Sequence, residues 1–385
     1  MVSRPFWVQR IQQAWTHAPI VWLSGVRRVG KTTIAKSLPS ARYLNCDLPS
    51  AAELVRDPES FFDSVREPIV ILDEIHQLPD PSRLLKIAAD AFSHLKILAT
   101  GSSTLAATRK FRDALTGRKR EVVLLPVLAE ELAAFGVRDL KERLLRGGLP
   151  QALLSRERDA EFYSEWMDSF FARDIQELFR VEKRTGFLLL LETLLRQSGG
   201  LIEVSSLAKA SGLSRPTILN YLNVLQVTHA IDLLRPYHGG ARRELLQQPK
   251  VYGFDTGFAA HARGWGELRP DDCGLLWEHL VLDTVKTLSP TPRVHFWRDK
   301  QQREVDFVLP RGRGGCDAIE CKWRAAAFDP KSLATFRSHY PAGKNFVVTP
   351  DTRESYSRRI GALSVRFTSL TELRGLLDHE GPSSN

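Results

Sequence analysis

Residues 20–33 read IVWLSGVRRVGKTT. Ile20 to Ser24 is a short apolar run rich in β-branched and aromatic side chains, the composition of a buried strand. Gly25 to Thr32 follows as a loop bounded by two glycines with the spacing GxxxxGKT, and TTIAKSL then has helical character. Strand, glycine loop and helix in that order are the context in which this spacing binds phosphate. The glycines let loop amides point inward at phosphate oxygens, and the helix start adds its positive end. Gly25, Val26, Arg27, Arg28, Val29, Gly30, Lys31, Thr32 and Thr33 are therefore the candidate nucleotide-binding residues. Lys31 is expected on the β- and γ-phosphates and the Thr32 hydroxyl on Mg2+.

Two further strand ends complete this reading. IVILDEIH, residues 69–76, is a buried apolar strand that delivers Asp73 to its carboxyl end. Asp73 is expected to orient Mg2+, while Glu74 aligns or deprotonates the attacking water. The adjacent pair separates two tasks that one carboxylate cannot perform at once. His76 reads as a surface or packing residue. LKILATGSSTL, residues 95–105, ends a strand in small polar residues, any one of which can place a hydroxyl near the γ-phosphate. Thr100, Ser102 and Ser103 are candidates, and Ser102 is the choice. A basic run follows, with Arg109, Lys110, Arg112, Arg118, Lys119 and Arg120. Within it, Arg118 is placed to contact phosphate, either in its own subunit or in a neighbour.

Composition bounds the rest. The chain has 385 residues, 43% hydrophobic and 26% charged, which excludes disordered, collagen-like and disulfide-scaffold classes and predicts two or three domains. Net charge is +9 and spread along the chain, a weak pointer to nucleic acid. Cys46, Cys273, Cys316 and Cys321 form no CxxC pair, so buried thiols in a reducing cytosol are expected. MVSRPFWVQR lacks the apolar run of a signal peptide, and Phe187 to Leu195 is far short of a membrane span. These features predict a soluble, cytoplasmic protein without membrane insertion.

Strand-like runs at 20–24, 41–46, 69–73, 95–100 and 121–127 alternate with helical patterns such as 50–65 and 82–93. This predicts a parallel sheet covered on both faces, over residues 1–140. Residues 141–200 read as helical, and the aromatics of FYSEWMDSFFARDIQELFRV read as core. Residues 203–236 read as helix, turn at Gly212, and a second helix capped by Ser214 with Pro216 in its first turn. HAIDLL, the Gly-rich YHGGARRE and PKVYGFD follow, so the region 141–260 is expected to hold a winged helix-turn-helix. Its second helix would present Arg215, Asn220 and Asn223 to DNA, with Arg242 and Arg243 on the wing. Residues 261–375 return to mixed α/β, and 376–385 is expected to be a disordered tail.

The series GVRRVGKTT, IVILDEIH, ILATGSS, LTGR and GGLPQALL resembles prokaryotic AAA-superfamily ATPases whose C-terminal half is a domain of unknown function. The resemblance continues through FFARDIQELF, PKVYGFDTGF, LLWEHLVLD and REVDFVLP to IECKW, and departs at PVLAEELAAFG. It implies an α/β fold in three parts: a P-loop NTPase sheet of AAA type, an α-helical and winged-helix region, and an α/β restriction-endonuclease-like domain. It also implies ATP rather than GTP.

In the last part, Glu320 and Lys322 alternate onto one face of a strand, and Asp306 ends the strand before it. Asp and Glu oxygens suit a second Mg2+ or Mn2+, with Lys322 steadying a hydroxide or the scissile phosphate. Resemblance to the nuclease fold adds Glu278 as a further ligand. Arg298, Lys300, Arg303, Arg311 and Arg313 lie nearby for phosphate contact.

The leading expectation is a Mg2+-dependent ATPase that couples nucleotide state to conformational change on DNA. An ATP-regulated, metal-dependent DNA endonuclease is a second reading. A nucleotide-switched signalling or scaffold protein with an inert nuclease-like part is a third. A homo-oligomer follows if Arg118 acts in trans.

Overall fold

In the computed structural model, residues 2–101, 109–176, 181, 183–238, 248–288, 291, 293–311 and 314–378 are described. Ser102, Ser103, Arg242, Arg243, Arg313 and the tail beyond residue 378 lie outside them. So do the side chains of Arg109, Lys110 and Arg112.

The apolar runs become five short parallel strands. They are β1 (Ile20–Ser24), β2 (Ala41–Asn45), β3 (Ile69–Asp73), β4 (Lys96–Thr100) and β5 (Lys119–Val123). Their order is β2-β3-β4-β1-β5, so β4 lies between the strand feeding the glycine loop and the strand ending in Asp73. Every residue of β1 is buried, as a strand covered on both faces requires. Register pairs Leu23 with Thr100, Leu72 with Ala99 and Asn45 with Asp73. The polar carboxyl ends of four strands therefore form one row.

Two local differences from the sequence reading have simple causes. The stretch expected as one helix over 50–65 divides into Pro49–Leu54 and Pro58–Ser64. Pro58 lacks the amide that an unbroken helix needs, and Asp57 caps the new start by accepting from the Ser60 amide. The strand expected over 121–127 begins earlier and ends at Val123. Pro126 has no amide for a ladder, and the Val127 amide instead donates to the Gly148 carbonyl at 2.7 Å.

One core joins the sheet to the helices after it. Val21, Leu23, Ile71 and Leu98 share a cluster with Trp7 and Trp15 of the N-terminal helix and with Trp166, Phe187, Tyr221 and Phe254. The opposite face packs Trp22, Leu72 and Ala99 against Phe61, Phe62 and Phe111. Arg4 clamps the join: its guanidinium meets Glu131 at 2.7 and 2.8 Å and donates to the carbonyls of Val29 and Leu125.

The remaining strands are β6 (Gly200–Leu201), β7 (Ile231–Pro236), β8 (Lys250–Gly253), β9 (His295–Arg298), β10 (Glu304–Pro310), β11 (Cys316–Cys321), β12 (Asn345–Val348), β13 (Tyr356–Ile360) and β14 (Leu363–Thr368). They form one sheet in the order β13-β14-β12-β11-β10-β9-β7-β8-β6. β7 pairs in parallel with β9 through Arg235–His295 and Pro236–Phe296, so the sheet runs unbroken across residue 260. The helix Pro270–Lys286 covers one face, with the Trp277 indole donating to the Val348 carbonyl at 2.9 Å.

Arg4 and Glu131 are both buried, so removing one strands the other's charge. Arg4→Met is expected to cost about 3–5 kcal/mol of unfolding free energy in urea titrations. Arg4→Met/Glu131→Leu should recover part of that loss. Equal stability of Arg4→Met and wild type would dismiss the clamp.

Candidate functional site

The glycine loop leaves β1 and turns back over the sheet. Gly25 and Gly30 have φ of 132° and 104°, and Arg28 joins them in the left-handed region at 61°. A Cβ on Gly25 would collide with the Leu124 carbonyl oxygen, so space and conformation both exclude larger residues there. Lys31 opens the helix Lys31–Lys36 and folds back on its loop, its ammonium donating to the carbonyls of Gly25 at 2.9 Å and Val26 at 3.2 Å. Burial pushes the Lys31 pKa down, against the pull of Glu74, Asp174 and Asp73. Thr32 and Thr33 follow on the same helix, half-buried.

Asp73 is buried at the end of β3. One carboxylate oxygen accepts from the Tyr43 hydroxyl at 2.7 Å and the other from the Thr100 hydroxyl at 2.5 Å. Thr100 in turn accepts from the Glu74 amide at 3.0 Å. Glu74 has a φ of 56°, in the left-handed region, and its carboxylate lies 3.3 Å from His76 Nδ1. Burial raises the Glu74 pKa, while Lys31 and His76 oppose the shift.

A cavity of about 330 Å³ joins these groups, lined among others by Gly25, Arg27, Lys31, Glu74, His76 and Gly101. Arg173 and Asp174 also line it. They come from Phe171–Gln176, a π-helical turn continuing the helix Ala160–Phe170. Such turns interrupt regular helices and often mark functional places. Asp174 lies 3.5 Å from the Arg27 guanidinium across the cavity. Burial raises the Asp174 pKa, and Arg27, Lys31 and His76 pull it back. From the same helix, the Trp166 indole donates to the Arg27 carbonyl at 3.0 Å.

The structure thus gathers Gly25 to Thr33, Asp73 and Glu74, and adds Tyr43, His76, Arg173 and Asp174. His76, read from sequence as peripheral, is half-buried against Glu74. Arg118 is not brought to the cavity. Its carbonyl accepts from the Ile20 amide at the amino end of β1, the full strand away from the glycine loop, and its guanidinium pairs with Asp90 at 2.5 Å. In its own subunit Arg118 therefore faces away from the phosphate position.

A second acidic cluster lies between β8, β10, β11 and the helix Pro270–Lys286. Lys322 meets Glu320 at 2.7 Å and Asp306 at 3.3 Å, and Asp306 also accepts from the Cys321 amide at 2.7 Å. Glu278 joins through residues the sequence reading did not select. Lys250 contacts Glu278 at 3.1 Å and also pairs with Glu304, while the Tyr252 hydroxyl donates to Glu278. Lys250 and Tyr252 alternate in KVYG, as Glu304 and Asp306 do in EVDF, and that period of two was the available signal. Burial, then Asp306, push the Glu320 carboxyl up to about 8. Burial works against the Lys250 charge, but Glu278, Glu304 and Asp306 outweigh it and hold its pKa above the ordinary value. The neighbouring Arg298, Arg303 and Arg311 pair with Glu304, Asp299 and Asp317. Among the described residues, no group of three or more His, Cys, Asp or Glu side chains is arranged to hold a metal ion. All four cysteines are buried and free. No helix among the described residues is long and apolar enough to cross a membrane.

Comparison with known proteins adds three family matches. Residues 17–133 match the AAA domain, 137–269 match a domain of unknown function (DUF8612), and 273–368 match another (DUF4143). The AAA match coincides with the five-stranded parallel sheet, so this part has the α/β fold of an AAA domain. Uncharacterized proteins of Mycobacterium bovis and Mycobacterium tuberculosis are each 26% identical over 370 residues, covering 90% of this chain and 82% of theirs. Among solved structures, the Walker-type ATPase PABY2304 of Pyrococcus abyssi is 16% identical, with a TM-score of 0.46, covering 68% of this chain and 96% of that one. Cdc6p of Pyrobaculum aerophilum is 14% identical, with a TM-score of 0.30, covering 73% and 97%.

Three outcomes follow from the geometry around Asp73 and Glu74. Tyr43→Phe removes a hydrogen bond to a buried charged group and should lower the unfolding free energy by about 1.5–3 kcal/mol in urea titrations. A base must be ionised, and Glu74 sits above the ordinary carboxylate range. Turnover should therefore fall on acidification at a pH above the ordinary glutamate value of about 4.3. His76→Ala removes the imidazole 3.3 Å from the Glu74 carboxylate, an interaction that opposes the rise in the Glu74 pKa, so the acid limb of the kcat profile should move to higher pH. An unmoved limb would separate His76 from the base.

Proposed function

We propose that this chain is a Mg2+-dependent ATP hydrolase that converts nucleotide state into movement of its helical region while bound to DNA. The observation that carries the reading is the arrangement of opposed charges in one cavity. Lys31 rests on carbonyls of its own loop, and Arg27 faces Asp174 of the π-helical turn. A triphosphate in the cradle of Gly25 to Thr33 offers oxygens to both cations. Lys31 then exchanges carbonyl oxygens for phosphate, and Arg27 is drawn from Asp174. Asp174 and Arg173 belong to the helix that Trp166 fixes to the loop, so the change in charge is delivered directly to the helical region.

The donor set suits magnesium. The Thr32 hydroxyl and the Asp73 carboxylate offer hard oxygens, and Asp73 is held by two hydroxyls in one orientation. When bound there, Mg2+ neutralises charge on the β- and γ-phosphate oxygens. Glu74 aligns the attacking water and takes its proton. With Ser102 outside the described residues, Thr100 is the hydroxyl on Asp73 and acts in positioning it. A role for Arg118 is kept for a neighbouring subunit, which makes the active form a homo-oligomer.

Domain limits of 1–140, 141–260 and 261–375 are part of this proposal, the last two regions sharing the sheet that β7 and β9 join. Support for a winged helix comes from the strand order β6-β8-β7 around the helices Val204–Ser211 and Arg215–Val227. Arg215, Asn220 and Asn223 are exposed on the second helix, as a DNA-facing surface requires. Support for a nuclease-like last part comes from Asp306, Glu320 and Lys322 meeting on paired strands beside Glu278. Free cysteines fit a cytoplasmic location.

Lys31→Ala should lose ATP binding. Glu74→Gln should retain binding and lose turnover by about 10²–10⁴-fold. Turnover by Lys31→Ala at the wild-type rate would overturn the site. Defined DNA should alter ATP turnover, and its binding should weaken steeply between about 50 and 200 mM salt. Turnover and binding indifferent to DNA would instead favour a switch that acts on protein partners.

A further inference from the structure

We propose that Lys250 is the resident cation of the C-terminal carboxylate cluster, so that Glu278, Asp306 and Glu320 bind no divalent metal while its ammonium is in place. The inference stands on contacts within the cluster and does not depend on the nucleotide-site reading. A restriction-endonuclease-like arrangement implies a divalent ion held by Asp306 and Glu320 with help from Glu278. The side chains present do not fit that ion.

Lys250 enters from β8, a strand that precedes the cluster's own helix in sequence. Its side chain is 3% exposed and lies against both Glu278 and Glu304. Lys322 occupies the other side, against Asp306 and Glu320. Every carboxylate of the cluster therefore contacts an ammonium, and Tyr252 adds a hydroxyl on Glu278. A divalent ion entering here would meet two ammonium groups at close range. It would also draw Glu278 from Lys250 and leave that buried ammonium with Glu304 alone, which low-dielectric surroundings penalise. Magnesium further requires several waters of its own, and the space beside Glu278 is taken by the Lys250 side chain and the Tyr252 ring. Glu320 retains one buried oxygen without a hydrogen-bond partner.

The test is Mn2+ titration by calorimetry of the full chain without nucleotide. Every protein carries Asp73→Asn to remove metal binding at the nucleotide site. The Asp73→Asn chain is expected to show no saturable Mn2+ binding and no rise in melting temperature with Mn2+. Adding Lys250→Met should create one Mn2+ site per chain, with a Mn2+-dependent rise in melting temperature. Both should disappear on further adding Glu320→Gln. Mn2+ binding by the Asp73→Asn chain that is lost with Asp306→Asn would overturn the proposal. So would a folded Lys250→Met chain that binds no Mn2+. If Lys250→Met does not fold, Lys250→Gln takes its place, and the titration of the chain retaining Lys250 decides alone. Supercoiled DNA with Mn2+ should stay uncut by wild type, and cutting abolished by Asp306→Ala would also refute the assignment.

Discussion

The Asp73 carboxylate, 2% exposed between the hydroxyls of Tyr43 and Thr100, is the constraint around which the nucleotide end is built. An unpaired buried charge is costly, so both hydroxyls must arrive in register. Parallel pairing of β3 with β2 and β4 ensures this, because Asn45 lies opposite Asp73 and Thr100 extends one residue beyond the pair Leu72–Ala99. Thr100 then makes a second use of its oxygen by accepting from the Glu74 amide. That bond holds Glu74 in the left-handed region, a conformation that costs a non-glycine residue of order 1 kcal/mol or more. Two adjacent carboxylates consequently have different partners, two hydroxyls for Asp73 and His76 for Glu74.

The glycine loop is held from outside the sheet as well as within it. Arg4 reaches the Val29 carbonyl from the N-terminal side, and Trp166 reaches the Arg27 carbonyl from the helical side. Trp166 stacks on Phe254 with ring centroids 4.5 Å apart. Phe254 directly follows β8, whose first residue is Lys250. Asp255 next to it accepts from the amides of Gly148 and Gly257. The phosphate cradle and the second acidic cluster are therefore joined through one short, buried stretch of chain, PKVYGFD. Packed side chains at such density transmit displacement instead of absorbing it.

Much of the first sheet was legible because each strand announces itself locally. IVWLS, IVILD and KILAT are continuous apolar runs, as strands buried on both faces must be. The Asp57 cap and the Pro58 start escape the sequence reading, and the stretch 50–65 reads as one helical pattern. Less legible was the partition after residue 200. HAIDLL and VHFWRD look like strands of separate regions, and only their pairing reveals one sheet. The FFARDI segment was read as core from its aromatics. That holds for Phe170 and Phe171, whereas Arg173 and Asp174 within the same turn face the phosphate loop.

Local spacing alone marked out the glycine loop and the acid pair, because each is a contiguous stretch whose backbone demands are met by its own glycines and apolar neighbours. The tertiary structure decided which distant groups join them. Sheet order sends Arg118 to the opposite end of β1, brings Tyr43 to Asp73, and places Asp174 across from Arg27. It also seats Lys250 between carboxylates drawn from a helix and from β10. Such meetings depend on strand order and on how helices cross the sheet. They are set by the burial of whole faces, and no single stretch of residues encodes them.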